Sequence, residues 1–294
     1  MDARQDLPLV GVVVLTQGKR PDDLAAGLAS IVAQQGVRLD VVVVGNGWDP
    51  TGLPEGVRGL HLPENLGIPA GRNAGVDRVG GEWLLFLDDD ARLQSPHFVA
   101  DALALFAADP GLGLVQPRVV ATDGTSPTRW IPRMRKGDPA RSSNTFSLWE
   151  GAVVFRRPVW DAAGPWAAPF WYAHEGIEMA WRVWDAGYSV RYAGELVALH
   201  PAIDPNRHDD YLHNNARNRV WIARRNLHWP VSWLYVATWT TVQVVRAVRA
   251  GDLRSLKPWF GGFAAGWRQD PGDVRKMSWR TVWRMTRLGR PPIF

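Results

Sequence analysis

The stretch Trp83-Leu84-Leu85-Phe86-Leu87-Asp88-Asp89-Asp90-Ala91 decides how this chain is read. An apolar run of strand length delivers three consecutive carboxylates to the point where the strand should stop. Three adjacent anions repel one another, so a plain strand end gains nothing from them. They make sense beside a hard divalent cation, since Mg²⁺ and Mn²⁺ prefer oxygen ligands and usually share a phosphate. The loop after a parallel strand is also where α/β sheets place their ligands. The plainer alternative is a solvated acidic turn or a helix N-terminus, where Asp is equally at home.

Outward from this run the chain alternates strands and helices. Val10–Thr16 reads as a buried strand, Pro21–Gln35 as a helix opened by Pro21, Asp22 and Asp23 and stopped at Gly36, and Leu39–Val44 as a second buried strand. That is a βαβ unit whose strands are continuous apolar runs, as parallel strands are. Gly59–Leu62 reads as a short strand, Pro69–Val79 as a helix ended by Gly80-Gly81, and Glu82–Leu87 as the strand carrying the acidic triplet. Beyond it come a helix over Phe98–Ala107, a strand over Leu112–Val120 and a long polar loop over 121–147. Then follow a strand at Ala152–Arg156, a helix at Ile177–Ala186 and strand pieces at Ser189–Tyr192 and Val197–His200. From about 208 the pattern is helical.

At 294 residues and 46% hydrophobic, the chain can bury one large core. It has no cysteine, which excludes disulfides, thiolate metal sites and a cysteine nucleophile, and fits a reducing cytoplasm. The N-terminus has acidic residues and no apolar stretch before the first strand, so it does not read as a signal peptide. Val231–Val245 is too short and too polar to span a bilayer, which takes roughly 20 apolar residues. Charge is unevenly spread: residues 1–205 carry 18 Lys/Arg against 24 Asp/Glu, and residues 206–294 carry 16 against 5, with eight of the 17 Trp. We therefore divide the chain into a mildly acidic body, 1–205, and a basic, Trp-rich helical extension, 206–294. Arginines interleaved with Trp259, Trp267, Trp279 and Trp283 suit an anionic membrane surface. A homodimer through Val231–Val248 is the second expectation, and nucleic acid is not expected as a partner.

A second constellation is Glu64-Asn65-Leu66-Gly67-Ile68-Pro69-Ala70-Gly71-Arg72-Asn73-Ala74-Gly75. Backbone amides at a helix start, with one Arg, suit a diphosphate. A small-residue helix packed close to the sheet accounts for the same glycines. A third is His174-Glu175-Gly176-Ile177-Glu178-Met179-Ala180-Trp181-Arg182, which read alone is a charged helix N-terminus with a helical ion-pair partner.

In this order the βαβ unit, "ENLGIPAGRNAG" and "WLLFLDDDARL" resemble family 2 glycosyltransferases, the inverting GT-A enzymes that use nucleotide sugars. "NNARNRVWIARRNLHWP" extends the resemblance weakly toward bacterial members that build rhamnosyl- or galactosyl-containing surface polysaccharides. The resemblance implies a GT-A-type, Rossmann-like, mostly parallel sheet flanked by helices, followed here by the C-terminal helical extension. It implies a non-processive transfer from a nucleoside-diphosphate sugar to a glycan or lipid-linked acceptor, with Mn²⁺ or Mg²⁺ as cofactor. A polymer-extruding synthase is disfavoured because the chain has no Gln-x-x-Arg-Trp motif. The same implication puts Asp90 on the metal, Asp88 on the metal or the ribose, and Asp89 in support of the loop. His200, at the end of Val197–His200, would complete the metal site. Thr16 and the Gly45–Trp48 loop with Asn46 would line the nucleobase pocket, and Gly67 and Arg72 would stand by the phosphates.

The general base of the family lies in an acidic helix motif whose second position is Gly176 here. The base is then Glu175 or Glu178, with Glu175 favoured by its place at the helix start. Trp149, Trp160, Trp166, Phe170, Trp171 and Tyr172 surround the expected acceptor side, one or two functional and the rest core. A peripheral position on the inner face of the plasma membrane would follow from the basic extension. Two other readings stay open at this point: a sugar nucleotidyltransferase, and a degenerate scaffold that binds nucleotide sugars without turning them over.

Overall fold

The structure, a computed structural model, describes residues 6–133, 135–202 and 210–293. Nine strands form a single mixed sheet: β1 (Leu9–Thr16), β2 (Arg38–Asn46), β3 (Val57–Leu62), β4 (Trp83–Asp88), β5 (Arg92–Leu93), β6 (Leu112–Val120), β7 (Ser143–Asn144), β8 (Ala152–Arg156) and β9 (Ser189–Leu199). Their order is β3-β2-β1-β4-β8-β6-β9-β5, with β7 paired to β9. The first four strands in that order are parallel throughout, β8 runs against β4 and β6, and β6 and β9 are again parallel.

Both faces of the parallel half are covered, which is why its strands read as unbroken apolar runs. Val13, Leu15, Val42, Val44, Leu84 and Phe86 enter one core, while Val12, Val14, Val41, Val43, Leu85 and Leu87 enter the other. This is the period-2 alternation of strand side chains between two buried faces. Helices α1 (Pro21–Val32) and α3 (Phe98–Ala108) cover the second face. The first face is covered by α2 (Ile68–Val76), α4 (Arg157–Ala163) and α5 (Glu175–Asp185). Close packing of α2 needs its glycines. A Cβ on Gly71 would sit 2.5 Å from Leu15 Cδ1, and one on Gly75 would sit 2.5 Å from Val13 Cγ1.

The remaining helices are α6 (Tyr211–Asn226), α7 (Val231–Ala250), α8 (Leu256–Arg268) and α9 (Trp279–Arg287). The boundary expected at 205/206 lies outside the described residues. The helices beyond it are part of the first-face core: Val220, Trp221, Ile222, Tyr235, Met277 and Met285 pack in one cluster with the sheet. Asp185 accepts from the Ser278 backbone N–H at 2.9 Å and from the Thr281 hydroxyl at 2.7 Å. No helix among the described residues is long and apolar enough to cross a membrane.

Candidate active site

A cleft of about 740 Å³ opens at the C-terminal ends of β1, β2 and β4. It gathers the acidic triplet, Thr16, Asn46, Arg72, Glu175 and His200 from six separate segments. Two expected residues stay outside. Gly67 does not line the cleft; its φ of +81° starts α2, and a Cβ there would collide with Trp171. Glu178 is turned the other way. Its Oε1 accepts from Arg182 Nε at 2.8 Å, and both its oxygens accept from Arg225 Nε at 2.9 and 3.0 Å. Only 1% of it is exposed. Glu178 is a sealed ion-pair residue tying α6 to α5 and is closed off from the cleft.

The triplet is held as a turn. Asp88 closes β4 by donating its backbone N–H to Gly151 O at 2.8 Å, and its Oδ1 accepts from Arg72 Nη2 at 2.6 Å. Asp89 and Asp90 are each 4% exposed. Asp89 accepts from Thr16 Oγ1 at 2.6 Å and from Arg20. Burial outweighs these partners and pushes its carboxyl up to about 6. Asp90 is also buried, but His200 and Arg20 prevail and hold it below the usual carboxylate range. Its Oδ1 faces His200 Nε2 at 3.1 Å, while Arg20 reaches its other oxygen. The His200 ring is held edge-on to Trp130 and Trp149 at centroid distances of 5.2 and 5.0 Å.

Asp90, Asp88 and His200 offer carboxylate oxygens and one imidazole nitrogen, a donor set suited to Mn²⁺ or Mg²⁺. Among the described residues no three carboxylate or imidazole side chains converge on one point. The set fits a cation that takes one or two protein ligands and completes its shell from a diphosphate. Arg20, at 32% side-chain exposure, supplies the counter-charge in this structure. Its only sequence signal is the basic pair Lys19-Arg20 shortly after a buried strand.

Thr16 and Asn46 line the cleft and hold its walls. The Thr16 hydroxyl donates to Asp89 and accepts from the Gly18 N–H at 2.9 Å. Asn46 Nδ2 donates to Asn65 Oδ1 at 2.8 Å and to Gly67 O at 3.1 Å, and its Oδ1 accepts from the Leu66 N–H at 2.8 Å. That clamps the 65–67 loop and spends both of the amide's hydrogens. At Gly45 a side chain would run into the Trp48 carbonyl.

On the opposite wall, Arg72 is buried between Asp88, Glu175 and the face of Trp166, its Cζ 5.4 Å from that ring centroid. Burial works against its charge, but Asp88, Glu175 and Glu150 more than offset this and hold it above its ordinary value. Glu175 Oε1 lies 3.8 Å from Arg72 Nη1, and Glu175 Oε2 is buried without a hydrogen-bond partner. Glu150, which sequence reasoning missed, lines the cleft beside them and accepts from the Gly176 N–H at 2.6 Å. Its only sequence signal was indirect: a glycine where the helix motif has an acid.

The loop leading into α5 is strained. Trp171, Ala173 and His174 have φ of +62°, +73° and +72°, each costing roughly 1–2 kcal/mol in a non-glycine residue. Asn218 of α6 holds it, donating from Nδ2 to the carbonyls of Phe170, Tyr172 and Ala173 at 3.0, 2.8 and 2.8 Å. Of the expected aromatic cluster, Trp160, Trp166 and Phe170 are core, Trp149 and Tyr172 line the cleft, and Trp171 is exposed beside it.

An α/β sheet whose acidic strand end, close-packed glycine helix and second acidic helix meet in one cleft defines a glycosyltransferase of the GT-A class. Residues 12–162 match glycosyl transferase family 2, and the chain belongs to that family. The pre-mycofactocin glycosyltransferase of Mycobacterium tuberculosis is 26% identical over 217 residues, which are 68% of this chain and 43% of that protein. The chain thus spans less than half the length of the curated relatives it matches. Two solved structures share the fold. GalNAc-T7 with UDP, GalNAc and Mn²⁺ has a TM-score of 0.60 at 13% identity, over 79% of this chain and 50% of that one. The mannosyltransferase PcManGT from Pyrobaculum calidifontis, in complex with GDP-Man and Mn²⁺, has a TM-score of 0.55 at 17% identity, over 96% of this chain and 79% of that one.

Proposed function

We propose that this glycosyltransferase moves one sugar, with inversion at the anomeric carbon, from a nucleoside-diphosphate sugar to a glycan or lipid-linked acceptor. The observation that carries the reading is the convergence of Asp88, Asp90, His200, Arg72 and Glu175 on one cleft from separate segments. Asp90 and His200, with Asp88 beside them, would hold Mn²⁺ or Mg²⁺, whose charge offsets that of the departing diphosphate. Both solved structures described above contain Mn²⁺. Arg72 fixes Asp88 and keeps a positive charge between the donor end and the acceptor end of the cleft. Thr16, Asn46 and Asp89 set the shape of the donor end through the bonds described above.

Inversion in one displacement needs a single carboxylate at the acceptor end to take the hydroxyl's proton. Glu175 and Glu150 are the two available there; Glu178 is sealed. Tyr172 and Trp149 give that end the aromatic surface on which sugar rings pack.

The setting we propose is the inner face of the plasma membrane, in the synthesis of surface polysaccharide or cell wall. Trp229, Trp233, Trp279 and Trp283 remain exposed on the C-terminal helices and their connections, among basic side chains. Aromatic rings interleaved with arginines suit the headgroup region of anionic lipid.

A thermal-shift panel of nucleotide sugars, with and without Mn²⁺, tests the donor reading. One sugar nucleotide should raise the melting temperature in a metal-dependent way, because it binds the folded state alone. A panel in which none does so contradicts it.

A further inference from the structure

The helix motif that usually carries the base has Gly176 in its second position, and the structure shows what occupies the vacated space. A Cβ built on Gly176 falls on Oε1 of Glu150, 2.6 Å from its carboxyl carbon, and also lies 2.7 Å from the Leu148 carbonyl oxygen. The Glu150 carboxylate, arriving from the segment before β8, fills the volume that a side chain at 176 would enter. We propose that Glu150 is the group that takes the proton of the acceptor hydroxyl, a carboxylate supplied from outside α5. The proposal rests on the glycosyltransfer reading above and names its base.

Access separates Glu150 from its neighbour. Both line the cleft, but Glu150 is half-buried, whereas Glu175 is 3% exposed with Oε2 closed in. Helix capping explains only part of Glu150's position. The Gly176 N–H is one of the unpaired donors of the first turn of α5, and His174 offers no side-chain cap. A cap alone would not call for a second carboxylate beside Glu175 and Arg72 at the acceptor end.

The environment also suits the task. Burial pushes the Glu175 carboxyl up against the pull of Arg72, and the negative charge it carries when ionised favours the protonated form of Glu150. Burial first, then Glu175, push the Glu150 carboxyl up to about 8 against the pull of Arg72. In the step itself the acceptor O–H bond breaks and its proton goes to Glu150. The oxygen bonds to the anomeric carbon, and the carbon–oxygen bond to the diphosphate breaks with its electron pair leaving on the diphosphate. Glu175 is then a positioning residue that acts through Glu150.

The test is kinetic and uses the full chain with its donor and Mn²⁺. Glu150→Gln keeps an oxygen for the Gly176 N–H and should lower kcat by roughly 10²-fold or more, with donor KM and melting temperature near native. Glu150→Asp gives an arm that does not depend on the Gln variant folding well. It keeps a carboxylate and should hold at least about tenfold more kcat than Glu150→Ala, as expected for retaining a general base. Native-like turnover in Glu150→Gln, or an Asp variant no faster than the Ala variant, overturns the assignment of Glu150 alone. A wild-type chain that turns over no nucleotide sugar overturns the glycosyltransfer reading and this one with it.

Discussion

Helix α5 presents two glutamates three residues apart, and the molecule treats them in opposite ways. Glu178 is closed between Arg182 and Arg225, with every oxygen bonded. Glu175 faces Arg72 at 3.8 Å, has an unpartnered oxygen, and shares its surroundings with Glu150. A satisfied buried ion pair joins two parts of a fold, while under-satisfied carboxylates in a cleft are held ready for a ligand. The contrast teaches that equal burial and identical chemistry do not mean an equal role. The partners decide it.

The largest effect should come from the cleft carboxylate that meets the donor. Asp90→Ala should lower turnover by about 10³-fold or more, the scale of losing a metal-centred charge contribution of several kcal/mol. It should also abolish the Mn²⁺-dependent part of nucleotide binding in calorimetry while the fold survives. Near-native activity of this variant in EDTA would contradict the site.

The comparison itself is broken or sharpened by Glu178→Gln against Glu175→Gln. The first removes the charge that two buried guanidiniums require, and should cost about 3 kcal/mol of stability, read as a lowered denaturant midpoint, with activity per folded molecule retained. The second should leave the midpoint unchanged or raised and lower turnover. The reverse pattern would mean that the roles have been exchanged.

A pH profile tests the same contrast. The Glu150 carboxyl is raised, so it is protonated below about 8 and free to accept a proton above it. Glu175 and Arg72 face it, the first raising and the second lowering its affinity for a proton. The kcat/KM value should therefore rise with pH toward about 8, and this limb should vanish in Glu150→Gln. Asn218→Ala releases three loop carbonyls and should cost roughly 1–3 kcal/mol while raising acceptor KM. Smallest, Trp279→Ala with Trp283→Ala should weaken the salt-resistant part of binding to anionic vesicles by a few-fold, read by flotation, with turnover of soluble donor unchanged.

Much of the body was legible because its strands are buried on both faces. β1, β2, β4 and β6 were all read within two residues of their ends. Short or interrupted elements were not. Helix α4 was missed, being seven residues long and following β8 without a loop. β9 was read as two pieces, because Gly194-Glu195 interrupts its apolar run, although the strand continues through a register shift against β6. The polar segment 121–147 was read as a loop; it holds a short 3-10 turn at Thr128–Trp130 that brings Trp130 against His200.

At the site, the acidic triplet and Arg72 were visible because sequence-local patterns carry them. The fate of Glu178 was not, since Arg225 lies 47 residues away. Nor was Glu150, which reaches Gly176 from 26 residues before it. The glycines of α2 were legible only as alternatives, and the structure assigns Gly71 and Gly75 to close helix–sheet packing.

The most direct test of the account is the product of the wild-type chain with the nucleotide sugar that stabilises it, Mn²⁺ and a glycan or lipid-linked acceptor, resolved by chromatography. The account predicts nucleoside diphosphate released in step with a glycosylated acceptor of inverted anomeric configuration. Release of pyrophosphate, or a product that retains the donor's configuration, would contradict it.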